Sequence, residues 1–258
     1  MPPPPPPPPT SAYGAATPYG APAPGYSPVT AIQYGWAKFA KSPGTLLVPA
    51  LLVLVVLLVV DGIVQIVLRG ALLGTHDCTK TIFGQTVEHA RCGPGFFTGI
   101  FVSALGGLVA SFIAQVLGAG LIKSALNVAD GKPVNAGDVF GYATKSNVIA
   151  TAALVAAATF VGSLLCYLPG LVVGFLTLFA MFYVVDKDMA PVDAIKASVS
   201  LTTSRLGETI LFYLLGIVVI FVGAILCLVG LLAAVPVVLA AAAYTFRVLN
   251  TEPVTAPE

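Results

Sequence analysis

The stretch NVIATAALVAAATFVGSLLCYLPGLVVGFLTLFAMFYVV, residues 147–185, carries no charged side chain over 39 positions. About 20 apolar residues suffice to cross a bilayer core as a helix, so the run is too long for one crossing and fits two. Tyr167-Leu168-Pro169-Gly170 lies near its middle and is a turn signal. The stretch therefore reads as an antiparallel pair of transmembrane helices. Residues 209–246 repeat the pattern over 38 uncharged positions, with a turn expected near Cys227 to Gly230. Pro236 is expected to kink the last helix, its freed carbonyl re-satisfied by neighbouring helices.

Towards the N-terminus two further apolar runs stand alone. One opens near Leu46, with Pro49 in its first turn, and continues past Asp61 to Leu68; the other, Phe96 to Ile122, has no charge. The expectation is an all-α polytopic transmembrane helical bundle of about six spans, near residues 46–68, 97–122, 147–166, 169–185, 209–227 and 230–246, within a domain covering 31–248. Residues 70–95, 123–146 and 186–208 are polar connections. The segment Pro191 to Leu206 reads as a short helix, with Pro191 suited to its first position and Ile195, Val199 and Leu206 near one face. It either lies in the inner headgroup layer or packs on the bundle.

Composition agrees with this reading. Of 258 residues 57% are hydrophobic and 9% charged, against about 25% charged in soluble domains, and the mean hydropathy is +0.96. A net charge of +1 gives no reason to expect a nucleic-acid partner; the partner implied is the lipid bilayer. Residues 1–30 are a different material. They hold twelve of the 21 prolines, with an unbroken run from Pro2 to Pro9. Without apolar periodicity they cannot offset the entropy of ordering, so a disordered tail with a polyproline II rod is expected. It lacks the charged start and apolar core of a secretory signal, so the first apolar helix is expected to be an uncleaved anchor.

Six spans put both termini on one side, and the positive-inside rule chooses it. With the N-terminus inside, the inner segments hold Lys38, Lys41, Lys123, Lys132, Lys145, Lys187, Lys196, Arg205 and Arg247, and the outer segments only Arg69, Lys80 and Arg91. Both termini, including the short tail 249–258, are expected in the cytoplasm. Cys78, Cys92, Cys166 and Cys227 then fall on the outer side, where disulfides are permitted.

The second half carries a duplication. Phe160-Val161-Gly162-Ser163-Leu164-Leu165-Cys166 matches Phe221-Val222-Gly223-Ala224-Ile225-Leu226-Cys227, and Pro133-Val134-Asn135-Ala136 matches Pro191-Val192-Asp193-Ala194. Each unit has two crossings, so both copies insert the same way. Such a parallel repeat differs from the inverted repeats of many alternating-access transporters.

Candidate sites are few. Asp61 is the one charge well inside an apolar run, and with Gln65 and Arg69 it shares a helix face at spacings of four. An intramembrane acid invites an ion-handling role; the competing reading is an anchor snorkelling to water near the outer end. Gln115, deep in the second span, suits a helix–helix hydrogen bond. In the outer connection, His76 and Cys78 with His89 and Cys92 could supply four zinc ligands. A Cys78–Cys92 disulfide is the stronger reading, and closing its loop would be worth about 3 kcal/mol in the chain-entropy model. Cys166 and Cys227 sit at equivalent hairpin tips and either pair or stay as small apolar thiols. Small residues at spacings of four (Ser103, Gly107 and Ser111; Ala110, Ala114 and Gly118; Gly170 and Gly174) permit close helix packing within the chain or in a homo-oligomer. There is no phosphate loop, GxSxG or HExxH; no enzyme activity, cofactor or metal is expected.

Three motifs carry a resemblance: Tyr34-Gly35-Trp36-Ala37-Lys38-Phe39 before the first span, Gly131-Lys132-Pro133-Val134, and Asp188-Met189-Ala190-Pro191-Val192-Asp193-Ala194. With them, residues 31–248 resemble actinobacterial proline- and glycine-rich integral membrane proteins of unknown function. They are also similar to the membrane domain of some glycerophosphodiester phosphodiesterases, whose catalytic domain is absent here. The resemblance implies an inner-membrane, six-helix domain and no established activity. Two functions follow as expectations. One is a scaffold or accessory component of a cell-envelope membrane complex, its tail docking a cytoplasmic protein through polyproline recognition. The alternative is a transporter, channel or lipid-handling protein.

Overall fold

The computed structural model describes residues 26–72, 76–82, 85–92, 96–134, 137–165 and 167–255. The protein is an all-α helical bundle with one short β-hairpin at one end. Among the described residues the order is α1 (Pro28–Lys41), α2 (Pro43–Leu72), β1 (His76–Ile82), β2 (Gln85–Cys92), α3 (Phe96–Ala129), α4 (Asp138–Ala143), α5 (Ser146–Leu165), α6 (Tyr167–Leu176), α7 (Ala180–Lys187), α8 (Pro191–Ser204), α9 (Leu206–Ile225) and α10 (Cys227–Leu249). Among the described residues five stretches are long and apolar enough to cross a membrane: Pro43–Val67, Ala104–Ala129, Pro169–Lys187, Leu206–Ile225 and Gly230–Leu249; Ser146–Gly162 is a shorter sixth. Large apolar side chains such as Leu58, Ile63, Leu214 and Phe221 are exposed on these helices. No aqueous surface tolerates so much contiguous apolar area. The chain is a multi-pass membrane protein in contact with lipid.

Several expectations need correcting. The polar connection 70–95 contains a hairpin: β1 and β2 pair antiparallel, with an irregularity between Cys78 and Lys80. The bundle begins before residue 31. Helix α1 is separate from the first span, starting on Pro28, where the missing N–H costs nothing, and ending at Ser42 before Pro43. Helix α8 packs through Ala194, Ser198 and Thr202, all buried, while Leu206 is exposed and already belongs to α9. The small face packs because it lets α8 approach the bundle closely.

The crossing at Pro169–Lys187 is broken. Thr177 to Phe179 form a turn between α6 and α7, which frees backbone groups in a buried place. Ser198 of α8 re-satisfies two of them. Its Oγ donates to the Leu176 carbonyl at 2.8 Å and accepts from the Phe179 N–H at 3.1 Å. Thr177 Oγ1 donates back to the Val173 carbonyl at 2.8 Å. Broken helices are tolerated at membrane depth only where the backbone is satisfied in this way.

The Pro-Val-x-Ala motif turns out to occur four times, at 28–31, 133–136, 191–194 and 253–256. Three copies follow the ends of α3, α7 and α10. Just before each of those lies a residue in the left-handed region: Gly131 (φ 72°), Asp188 (φ 50°) and Thr251 (φ 59°), the only three among the described residues. Such a residue ends a helix by turning the chain away from its axis. The copies at Pro28 and Pro191 open α1 and α8, and the alanines Ala31 and Ala194 are both fully buried. Seven residues after each of these prolines stands a residue in close contact with another element. Ser198 meets the α6–α7 break. Gly35 lies on α10, where an added Cβ would fall 2.2 Å from the Val237 carbonyl oxygen.

The packing is cyclic. Helix α4 packs on α3, α8 on α7 and α1 on α10. Each short helix thus lies against the end of a different one of the three helices that share the core. Between α3, α7 and α10 the core is Leu126, Phe182 and Phe246 together with Phe179 from the break, all buried, with Phe182 and Phe246 rings 5.4 Å apart. The hairpins α5–α6 and α9–α10 close through equivalent glycines. An added Cβ on Gly162 would meet Gly170, and one on Gly223 would meet Gly230.

Candidate functional site

The lysine-rich end of the bundle carries the strongest concentration of charge among the described residues. Arg247 lies one turn from the end of α10, and its side chain is 10% exposed. Its guanidinium is shared among three acids. Nε and Nη2 each donate to a different oxygen of Asp130 at 3.1 Å. Nη1 and Nη2 donate to the two oxygens of Asp186 at 2.7 and 2.8 Å. Nη1 also donates to Glu252. Two bidentate carboxylates on one planar fork is a geometry arginine supports and lysine cannot.

Each acid stands at the end of a different core helix. Asp130 follows α3, Asp186 is in the last turn of α7, and Glu252 follows α10. Two lysines complete the set: Lys132 Nζ lies 2.9 Å from Asp130 and Lys187 Nζ 2.8 Å from Glu252. Three carboxylates and three cations leave the cluster neutral, so it does not act as an attractor for a free ion of either sign. Burial alone would raise the Glu252 carboxyl, but hydrogen bonds from Lys187 and Arg247 outweigh it and hold the group below its ordinary value.

The chain beyond α10 is laid over this cluster. Thr255 donates its N–H and its hydroxyl to the Ala129 carbonyl at the end of α3, at 2.9 and 2.8 Å. Lys38 of α1 donates to Thr255 Oγ1 at 3.3 Å. Tyr183 of α7 donates to Asn250 Oδ1 at 2.9 Å. Asp130, Lys132, Arg247, Glu252, Pro253, Val254 and Thr255 line an open cleft of about 500 Å³. On the other side of α10, Tyr26 fixes the start of the described chain through a 3.1 Å hydrogen bond to Thr245, its ring stacked on Tyr244.

The residues singled out from sequence lie elsewhere. Asp61 is exposed on α2 and Gln65 is half-buried one turn further on; the side chain of Arg69 lies outside the described residues. Gln115 is half-buried on α3, and its amide donates to Ser111 at 3.4 Å, one turn back on the same helix. The side chains of His76, Cys78, His89 and Cys92 lie outside the described residues, as does Cys166. The backbone register places Cys78 opposite Ala90 and Cys92 opposite His76. Among the described residues no three His, Cys, Asp or Glu side chains are placed to hold a metal ion.

Arg247 and its acids were missed because each reads alone as an ordinary inner-loop charge. The available signal was the motif: every acid of the cluster precedes a Pro-Val-x-Ala by one to five residues.

No family model and no solved structure matches the chain. Two mycobacterial proteins are similar to it: the uncharacterized protein Rv2560 of Mycobacterium tuberculosis and the uncharacterized protein Mb2590 of Mycobacterium bovis. Each is 33% identical over 230 residues, covering 88% of this chain and 69% of the relative. The chain belongs to the family of these uncharacterized mycobacterial proteins.

Proposed function

We propose that the protein is a scaffold or accessory component of a cell-envelope complex in the bacterial inner membrane, with both termini in the cytoplasm. Three units, each a short helix that starts at or just after a Pro-Val-x-Ala motif and is followed by two crossings, close into a ring around α3, α7 and α10. The reading rests on one observation above all: the lysine-rich half of the ring is filled rather than open. Phe179, Phe182 and Phe246 occupy the space between the core helices, and Arg247 ties the helix ends together behind them. A filled, cross-braced bundle suits a rigid platform better than a conduit. The resemblance to a membrane domain that elsewhere accompanies a catalytic domain fits the same role.

On this reading the proline-rich segment leaves the bundle from a fixed point, because Tyr26 is pinned to Thr245. A stiff polyproline rod held at one end presents itself to a cytoplasmic partner with little further loss of entropy. The test is affinity purification of the full chain and of a variant lacking residues 2–25, after cross-linking in its own membranes. A protein recovered with the full chain and lost with the variant supports the proposal. Recovery of the same proteins from both would remove the docking role of the tail.

A further inference from the structure

We propose that Lys123, Tyr142 and Lys145 form a binding site for the phosphate headgroup of an anionic phospholipid. Helix α4 carries Tyr142 across the end of α3. The Lys145 ammonium lies 4.5 Å from the centre of the Tyr142 ring, and the Lys123 ammonium 5.8 Å from it. Two like charges on one ring repel each other, and an anion that both can reach would offset that. Among the described residues neither ammonium is within ion-pair distance of a carboxylate, whereas Lys132, Lys187, Arg205 and Arg247 each are.

Position favours a lipid over a soluble anion. Lys123 belongs to the crossing Ala104–Ala129 and stands about 9 Å from its end, at a helical rise of 1.5 Å per residue. A lysine at that depth can keep its stem on apolar surface while its charge reaches towards the interface. On the helices that follow, Phe140 of α4 and Ile149 and Leu154 of α5 are exposed. Exposed apolar side chains on α4 and α5, with two cations that have no carboxylate within ion-pair distance among the described residues, match a molecule with acyl chains below and a phosphate above. Helix α5 begins at Ser146, directly after Lys145, so its first free N–H groups add to the preference for negative charge.

The test uses the full chain purified in a neutral detergent and incubated with equal amounts of phosphatidylglycerol and phosphatidylcholine of matched acyl chains. Retained lipid is read by native mass spectrometry. The wild type is expected to keep phosphatidylglycerol preferentially. Lys145→Gln should lower that preference about five-fold, the factor for one juxtamembrane cation, and the pair Lys123→Gln with Lys145→Gln should lower it further. Lys132→Gln, at the cleft, should leave it unchanged. Lys145 is exposed, so its single variant decides the matter if the double variant does not fold. Equal retention of the two lipids by the wild type would overturn the proposal. So would an unchanged preference in Lys145→Gln, an equal loss in Lys132→Gln, or inorganic phosphate binding the site as tightly as the lipid does.

Discussion

Arg247 is a single side chain on which three helix ends depend. Replacing it by methionine keeps most of its length but leaves Asp130, Asp186 and Glu252 without their shared partner. Stranding buried charge costs several kcal/mol, and these acids are partly hydrated, so a loss of about 3 kcal/mol is expected in thermal unfolding of the purified protein. Lysine at the same position should recover less than half of that, since one ammonium cannot serve two bidentate carboxylates. Glu252 gives a pH signature. Its folded value lies below its ordinary value of 4.5, so its contribution is fully present above that pH and is lost as acidification passes through the folded value. A melting-temperature profile should therefore fall below about pH 4.5 in the wild type and fall less steeply in Glu252→Gln. In sequence these residues were legible only as charges outside the apolar runs. Their convergence depends on which helix ends meet, and apolar periodicity carries no such information.

At the level of elements, two short helices hold the bundle through single close contacts. Ser198→Ala leaves the Leu176 carbonyl and the Phe179 N–H buried without partners, at a cost of about 1–3 kcal/mol. Ser198→Thr keeps the hydroxyl and should retain part of the stability. Gly35→Ala places a methyl group against the Val237 carbonyl and must push α1 away from α10. A loss of about 1–3 kcal/mol, in the range of other overpacked sites, is expected, together with faster proteolysis near Lys41. The apolar crossings were readable because their length and lack of charge suffice to identify them. Helix α1 was not, because its buried face is built of Pro28, Ala31, Tyr34, Gly35 and Phe39, too small and mixed to stand out beside a proline-rich tail. The hairpin β1–β2 was hidden for a similar reason: polar residues with two histidines and two cysteines read equally well as an irregular loop. The break between α6 and α7 leaves no mark in composition at all, since Thr177-Leu178-Phe179 is as apolar as its surroundings and the partner that permits the break, Ser198, is 19 residues beyond Phe179.

Across the whole molecule, Arg247 joins three sequence-distant helix ends at one point. The motif Pro-Val-x-Ala marks those ends, a left-handed residue turns the chain at each, and the following short helix packs on the ring where a following helix exists. Half of this was present in the duplicated motifs of the second half. The copies at Pro28 and Pro253 gained meaning only once α1 was seen to lie on α10, closing the ring. The most direct test is hydrogen exchange read by mass spectrometry, comparing the wild type with Arg247→Met in the same detergent. Protection is expected to fall together in residues 127–132, 184–189 and 247–255, while the opposite ends of α5 and α9 keep theirs. Loss confined to 247–255, with the ends of α3 and α7 as protected as before, would contradict the claim that Arg247 fastens all three.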